Sequence, residues 1–374
     1  MNIAFYCPNK PLDHPDPSGD LAIAQGIHEA LNRLGHDCRE WARFRSRWFW
    51  EHPAGWIRAA AATARTLARS ASWKPDLWLT YHTYYKAPDV IGPAVTRLLR
   101  IPYVLFQPIY STKRRRDPRT RPGFYLNRAA LRRACHAFTN NRKDVRGLDR
   151  ILSPMSLTYL PPGIFPEAFT RDEEAGRRVR STWGIQPGEP LLFCAARFRP
   201  GVKFRSLDFL LRSMNRLGRG HNRFRLVIAG DGPMEAELRK EAEELLPGKV
   251  LFAGKIPRRE LFKYYSAADL FVFPGIGESL GMVYLEAQSC GCPVVALRNE
   301  GVSQVVEHQV TGFLLPQEDE TAFSQAVRSL LEDSAARREM GRRAADFVRR
   351  ERNLHVTYRT LSDRLNELAV TYRP

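Results

Sequence analysis

Long apolar runs are missing from this chain. Its 374 residues are 44% hydrophobic. Yet no run approaches the roughly 18 consecutive apolar residues of a membrane span, so no transmembrane helix is expected. Cysteine is scarce, with six residues at 7, 38, 135, 194, 290 and 292. None has zinc-ligand spacing, and a core of this size needs no disulfide staple. Reduced thiols and a cytoplasmic location are expected. The opening Met1–Cys7 lacks a charged n-region and is too short for a signal peptide; it reads as a first strand. Acidic charge is in deficit too: 58 Lys and Arg against 40 Asp and Glu leave a net +18. The imbalance is concentrated, because residues 1–170 hold 26 Lys and Arg against 13 Asp and Glu, or +13. A basic half suits an anionic partner. With no RNA- or DNA-binding motif, a membrane surface or phosphorylated acceptor fits better than nucleic acid. The absence of a repeat of roughly 20–50 residues excludes a solenoid.

What is present alternates short apolar runs with longer amphipathic ones, the pattern of βαβ units. Strands are expected at Ile3–Cys7, Leu77–His82, Tyr103–Phe106 and Ala137–Asn140 in the first half. In the second half they are expected at Leu191–Ala195, Leu226–Ala229, Val250–Phe252, Leu270–Phe273 and Val294–Leu297. Such continuous apolar runs suit parallel strands covered on both faces. Helices are expected at 206–217, 233–246, 258–267 and 282–290, with a helical tail from about 318 to 372. Pro161-Pro162-Gly163-Ile164-Phe165-Pro166 reads as an interdomain linker. The fold class is therefore α/β: two Rossmann-like domains, 1–165 and 166–352, facing across a cleft, with a C-terminal helix (about 353–374) packing back on the first.

The most informative stretch is Pro274-Gly275-Ile276-Gly277-Glu278-Ser279-Leu280-Gly281-Met282-Val283-Tyr284-Leu285-Glu286. It joins a buried strand to a helix through a Gly-rich turn, at the edge of the sheet where ligands bind. The helix start offers N–H groups and a positive dipole end to a phosphate. Two carboxylates, eight residues apart, can hold sugar hydroxyls. The combination suits a nucleotide sugar.

With Ala229-Gly230-Asp231-Gly232-Pro233 and Ala287-Gln288-Ser289-Cys290-Gly291-Cys292-Pro293-Val294-Val295, this segment resembles the retaining glycosyltransferases of family 4, which have the GT-B fold. The resemblance is close from about 191 to 316 and weaker in the first half. It implies roles for particular residues. Arg197 offers a planar fork to the donor diphosphate and Lys203 a point charge, stabilising the leaving group without a metal. The lack of an Asp-x-Asp motif fits that absence. Arg199 and Arg205 are alternatives to Lys203. Glu278 contacts the transferred sugar near the reacting carbon, and Glu286 accepts from both ribose hydroxyls. Backbone groups of Ser279, Leu280, Gly281 and Met282 line the sugar and β-phosphate, and Ile256 lies at the base edge. Asp231-Gly232-Pro233 reads as a turn and helix start. No cofactor and no metal is expected.

The first half should hold the acceptor. Pro17-Ser18-Gly19-Asp20 stands directly before a helix. By resemblance, Gly19 touches donor phosphate or acceptor, while Ser18 or Asp20 can simply cap the helix. Gln107 stands where many family members carry His, and a Gln can hydrogen-bond a hydroxyl but cannot act as a base. His82 ends a neighbouring strand. His82, Gln107 and Asp20 are the acceptor-side candidates. Two basic stretches remain. Arg39 to Arg58 interleaves Arg with Trp41, Phe44, Trp48, Phe49, Trp50 and Trp56, as at a lipid headgroup layer. Lys113-Arg114-Arg115-Arg116 with Arg119 and Arg121 reads as a mobile loop over the acceptor.

The function expected is hexosyl transfer from a UDP- or GDP-linked sugar to a hydroxyl of a glycan or lipid-linked acceptor. The resemblance implies retention at the anomeric carbon and a place in cell-surface polysaccharide or glycolipid assembly; the basic aromatic first half suits peripheral contact at the inner face of the membrane. The alternatives are a nucleotide-sugar epimerase or phosphorylase on the same fold, a non-catalytic nucleotide-sugar sensor, and a nucleic-acid-binding protein. No pyridoxal phosphate lysine is identifiable for a phosphorylase.

Overall fold

In the computed structural model, residues 1–15, 19–218 and 223–373 are described. The apolar runs become strands, and every strand pairing is parallel. The chain divides into two compact units. The first comprises Met1–Pro161 and His355–Pro374, and the second Pro162–Leu354.

The first unit holds β1 (Asn2–Tyr6), β2 (Asp37–Ala42), β3 (Leu77–Tyr81), β4 (Tyr103–Phe106), β5 (His136–Thr139) and β6 (Leu157–Tyr159). Their order is β2-β1-β3-β4-β5-β6. The second unit holds β7 (Leu191–Ala195), β8 (Arg225–Ala229), β9 (Val250–Gly254), β10 (Leu270–Val272), β11 (Val294–Leu297) and β12 (Gly312–Leu315), in the order β12-β11-β10-β7-β8-β9. Helices follow nearly every strand, and burial of β3, β4, β7 and β11 along their whole length explains their unbroken apolar sequence. These are two Rossmann-like α/β units.

The helical tail is three helices, Glu320–Glu332, Ser334–Glu351 and Leu354–Thr371. Asp319 and Asp333 cap the first two by accepting from the N–H groups of Ala322 and Ala336. The last helix joins the first unit. Tyr358, Leu361 and Leu365 are buried, and Ser362 Oγ lies 2.7 Å from His36 Nε2. Where the chain enters and leaves the second unit it is stitched to itself. Ile164 N–H donates to Arg352 O, and Leu354 N–H donates to Ile164 O.

Two expectations about the basic segments are corrected. Trp41 and Phe49 are core side chains, 3% and 5% exposed, because β2 runs through Arg39–Trp41 and turns the Trp41 ring inward. Lys113–Arg115 lie in a 3₁₀ turn, Thr112–Arg115, held to the helix Arg121–Arg133 that follows. Thr120 Oγ1 donates to Arg114 O and Arg121 Nε to Arg115 O.

Candidate functional site

A parallel sheet offers a ligand crevice outside the carboxyl ends of its strands, where the strand order reverses. In the second unit the reversal lies between β7 and β10. The loop after β7 carries Arg197, and the loop after β10 carries Glu278.

The loop after β10 is held open by glycine geometry. Gly275, Gly277 and Gly281 have φ of 69°, 67° and 68°. At Gly275 and Gly281 a Cβ would also collide with the Tyr284 ring system, so only glycine fits. Tyr284 is itself fixed, its hydroxyl donating to Phe273 O at 3.0 Å. Ser206 Oγ accepts from Ile276 N–H at 2.9 Å, and Asn299 Nδ2 donates to Gly275 O at 2.8 Å. The loop ends at Gly281, where the helix Met282–Ser289 begins. Leu280 is buried and Met282 packs on the core, which leaves their main chain for polar contact.

Lys203 and Glu278, 75 residues apart in sequence, meet here. Nζ lies 2.6 Å from Oε2. Lys203 belongs to the first turn of the helix Val202–Gly218, which starts four residues before the 206 expected from sequence. Its ammonium also sits 5.1 Å from the Phe273 ring centroid. Arg199 and Arg205, the alternatives, are exposed. Burial pushes the Glu278 carboxyl up. The Lys203 ammonium and the N–H groups of Ser279 and Gly281 outweigh it and hold the group below the usual carboxylate range. Two of the amides assigned to a ligand from sequence therefore donate to Glu278.

Glu286 lies in the second turn of its helix and is 3% exposed. Its Oε1 accepts from Arg258 Nε at 2.7 Å and its Oε2 from the Tyr265 hydroxyl at 3.2 Å. Burial raises this carboxyl above the usual range, and Arg258 and Tyr265 offset only part of the rise. Arg258 also stacks 5.0 Å from the Phe169 ring centroid. Sequence reasoning missed both partners. The one available signal was position, since Arg258 is two residues beyond Ile256 in the loop after β9. Ile256 packs half-buried against the core. Arg197 is half-buried. Its loop is anchored by Ala196 N–H to Ala229 O and Phe198 N–H to Asp231 O, so Gly230–Gly232 acts as a turn that seats it.

In the first unit the reversal lies between β1 and β3. There Asn9, Lys10, Asp20, Tyr81 and His82 line a small pocket. His82 and Gln107, at the carboxyl ends of adjacent strands β3 and β4, both have left-handed backbones, φ 61° and 52°. Such conformations in non-glycine residues cost roughly 1–3 kcal/mol each and gather at functional sites. His82 Nδ1 is buried without a partner. Burial lowers the His82 pKa against the opposing pull of Asp20, so the ring is neutral at neutral pH. Gln107 Oε1 is engaged by the Tyr81 hydroxyl at 2.9 Å. Gly19 opens the helix Gly19–Arg33, and a Cβ there would meet nothing within 4 Å. Pro17 and Ser18 lie outside the described residues.

Residues 177–347 match the family described as glycosyl transferases group 1. Among curated proteins, the chain is 35% identical over 194 residues to a GDP-mannose-dependent alpha-(1-6)-phosphatidylinositol monomannoside mannosyltransferase of Mycolicibacterium smegmatis, covering 50% of each chain. It is 29% identical over 300 residues to a sulfoquinovosyl transferase of Arabidopsis thaliana, covering 76% of this chain and 56% of that one. The chain thus spans about half the length of the curated relatives it matches. In fold it is similar to a sucrose-phosphate synthase of Thermosynechococcus elongatus, with TM-score 0.74, 20% identity and 99% of each chain covered. It is also similar to Anabaena HepE crystallised with UDP, with TM-score 0.77, 16% identity, and 98% and 100% covered. The second unit thus carries the glycosyl transferases group 1 match, and both units have the GT-B fold of these solved structures.

Proposed function

We propose that this chain transfers a hexose-like sugar from a nucleoside diphosphate to a hydroxyl of a glycan or lipid-linked acceptor, with retention at the anomeric carbon and no metal. The observation that carries the reading is the Lys203–Glu278 pair. It stands at the strand-order reversal of the second unit, on a glycine turn that opens a helix carrying buried Glu286.

Each group has a task in that reaction. Glu286 receives the ribose hydroxyls. Lys203, Arg197 and the helix start at Gly281 supply fixed positive charge to the diphosphate, where negative charge grows as the glycosidic C–O bond breaks. Glu278, kept ionised by Lys203, accepts from a sugar hydroxyl and steadies positive charge developing on the ring. The bonding pair leaves with the phosphate oxygen. The acceptor oxygen bonds the anomeric carbon from the face just vacated, and its proton passes to the departing phosphate oxygen. No side-chain nucleophile is needed, and the fixed charges do the work a metal would do.

The acceptor side is assigned to the pocket of Asp20 and His82. A neutral His82, its Nδ1 buried without a partner beside this pocket, is the group assigned to accept from an acceptor hydroxyl that enters it. The acceptor named for the Mycolicibacterium relative, a phosphatidylinositol monomannoside, supports a lipid-linked hydroxyl. A surface in the first unit supports peripheral contact with an anionic membrane. Arg114 lies 4.4 Å from the Tyr85 ring centroid and Arg119 4.8 Å from that of Trp48, and Trp56 and Ile57 are 49% and 71% exposed. No helix among the described residues is long and apolar enough to cross a membrane.

The test is to incubate the protein with UDP- and GDP-sugars and with glycan or lipid-linked acceptors, and to follow nucleoside diphosphate release and product anomer by NMR. Acceptor-dependent release with retained configuration is expected. An inverted product overturns retention, and consumption of donor without acceptor favours an epimerase or hydrolase.

A further inference from the structure

Glu286 is asked to read two hydroxyls while buried in a helix, which raises the question of how its oxygens are kept ready. An ionised carboxylate accepts about four hydrogen bonds, roughly two on each oxygen. Arg258 Nε takes one on Oε1 at 2.7 Å, and the Tyr265 hydroxyl takes one on Oε2 at 3.2 Å. One acceptor direction per oxygen remains. That is the number a pair of vicinal hydroxyls requires, with the two oxygens spaced to meet neighbouring donors.

We propose that Arg258 is a positioning residue for ribose recognition: with Tyr265 it holds the Glu286 carboxylate as a two-point acceptor for a cis-diol, and so makes the site selective for ribonucleotides over 2′-deoxyribonucleotides. The inference rests on the reading of the second unit as the nucleoside diphosphate site. Arg258 suits the task by its own packing. Its guanidinium stacks 5.0 Å from the Phe169 ring, which fixes the plane from which Nε donates. Tyr265 is fully buried against Phe169, Phe193 and Phe271, so its hydroxyl has no other place to point. The carboxylate is held from two elements, the segment after β9 and the helix Leu261–Ala267, with one contact on each oxygen.

Charge reinforces geometry. Arg258 is the cation paired with a carboxylate that burial drives toward its neutral form. Protonation would turn one acceptor into a donor and remove half of the diol site. The other ionisable groups turned to Glu286 are the Tyr265 phenol, raised by burial, and the Cys290 thiol on its own helix, pushed up to about 12. Both stay neutral near neutral pH, and Arg171 bears on Cys290 and not on Glu286. Without Arg258, Glu286 protonates at higher pH, and ribose binding weakens as pH falls.

The experiment is titration calorimetry with UDP and GDP and their 2′-deoxy counterparts, at several values from about pH 6 to 8, spanning the ordinary histidine range but not the carboxylate one. The wild-type protein should prefer the ribonucleotide by about tenfold or more, the worth of one hydrogen bond to a charged group. Arg258→Ala should bring the two within about threefold, and its remaining ribonucleotide affinity should fall more steeply with acid than that of the wild type. Arg258→Lys should restore much of both. Arg258→Gln, which keeps a donor without charge, should hold the preference at the alkaline end and lose it toward acid. It serves also if Arg258→Ala does not fold. An Arg258→Ala protein that keeps the wild-type preference and pH profile overturns the role of Arg258 alone. A wild-type protein that binds none of the four nucleotides overturns the nucleotide reading and this inference with it.

Discussion

Lys203→Ala separates what the Lys203–Glu278 pair does for stability from what it does for chemistry. The two side chains are 32% and 18% exposed, with N···O at 2.6 Å. Exposed pairs are worth about 0–1 kcal/mol, whereas removing one partner of a fully buried pair costs about 3–5. An intermediate loss of about 2 kcal/mol is therefore expected. For a unit the size of Pro162–Leu354, that lowers the melting temperature by about 4–8 °C. The sign of the pH dependence distinguishes charge from packing. Glu278 is held below the ordinary carboxylate value in the folded protein. Its contribution is present above the unfolded pKa of about 4.3 and is lost as pH falls through the lower folded value. The deficit of Lys203→Ala should be full at neutral pH, shrink as pH falls through the carboxylate range, and vanish only below the lowered wild-type value, where Glu278 is protonated in both proteins. Scanning calorimetry at the two pH values checks this. A deficit of equal size at both would mean that the lysine acts through its stem over Phe273 and not through its charge. In turnover, the same variant should lose about 10²–10³ in kcat, the range for removing one preorganised donor from a developing oxyanion.

Three further outcomes follow from the geometry. Gly275→Ala forces a Cβ into the left-handed region and against Tyr284; it should cost about 2 kcal/mol or more by urea denaturation, and an unchanged midpoint would contradict the packing of the loop. Asp89→Asn should cost about 2 kcal/mol, because its Oδ atoms accept from Thr80, Tyr103 and the N–H groups of Ile91 and Gly92, and an amide nitrogen placed there would face a donor; a neutral effect would contradict that network. Arg114→Glu with Arg119→Glu should abolish cosedimentation with vesicles containing anionic lipid, assayed below a melting temperature that the lost ring contacts and Glu51 pair will lower; retained cosedimentation would remove this surface from the membrane-contact proposal.

The buried strands and the glycine turn were readable in the sequence because their causes are local. Strands sealed on both faces must be apolar throughout, as at Leu191–Ala195 and Val294–Leu297. What escaped lies at sheet edges. Asp37–Ala42, Leu157–Tyr159 and Gly312–Leu315 are β2, β6 and β12, each with neighbours on one side only. One open side admits charge and partial exposure, so Asp37-Cys38-Arg39-Glu40 carries no apolar run to read. Of the site, glutamates at fixed spacing on one loop and helix could be named from order alone. The pairing of each with its cation could not. Lys203 reaches Glu278 across 75 residues and Arg258 reaches Glu286 across 28, separations over which sequence conveys no distance. The left-handed backbones of His82 and Gln107 were likewise not readable, since Gln does not favour that conformation and the several-fold preference of His is too weak to assign one position.

The most direct measurement is calorimetric binding of a panel of nucleoside diphosphates and their sugars to the wild-type protein and to Lys203→Ala. Saturable binding of one base is expected, with affinity reduced by about tenfold or more when the ammonium is removed, as for a lost charge-assisted contact. No binding by any member, or equal affinity in both proteins, would contradict a diphosphate held at Lys203 beside Glu278.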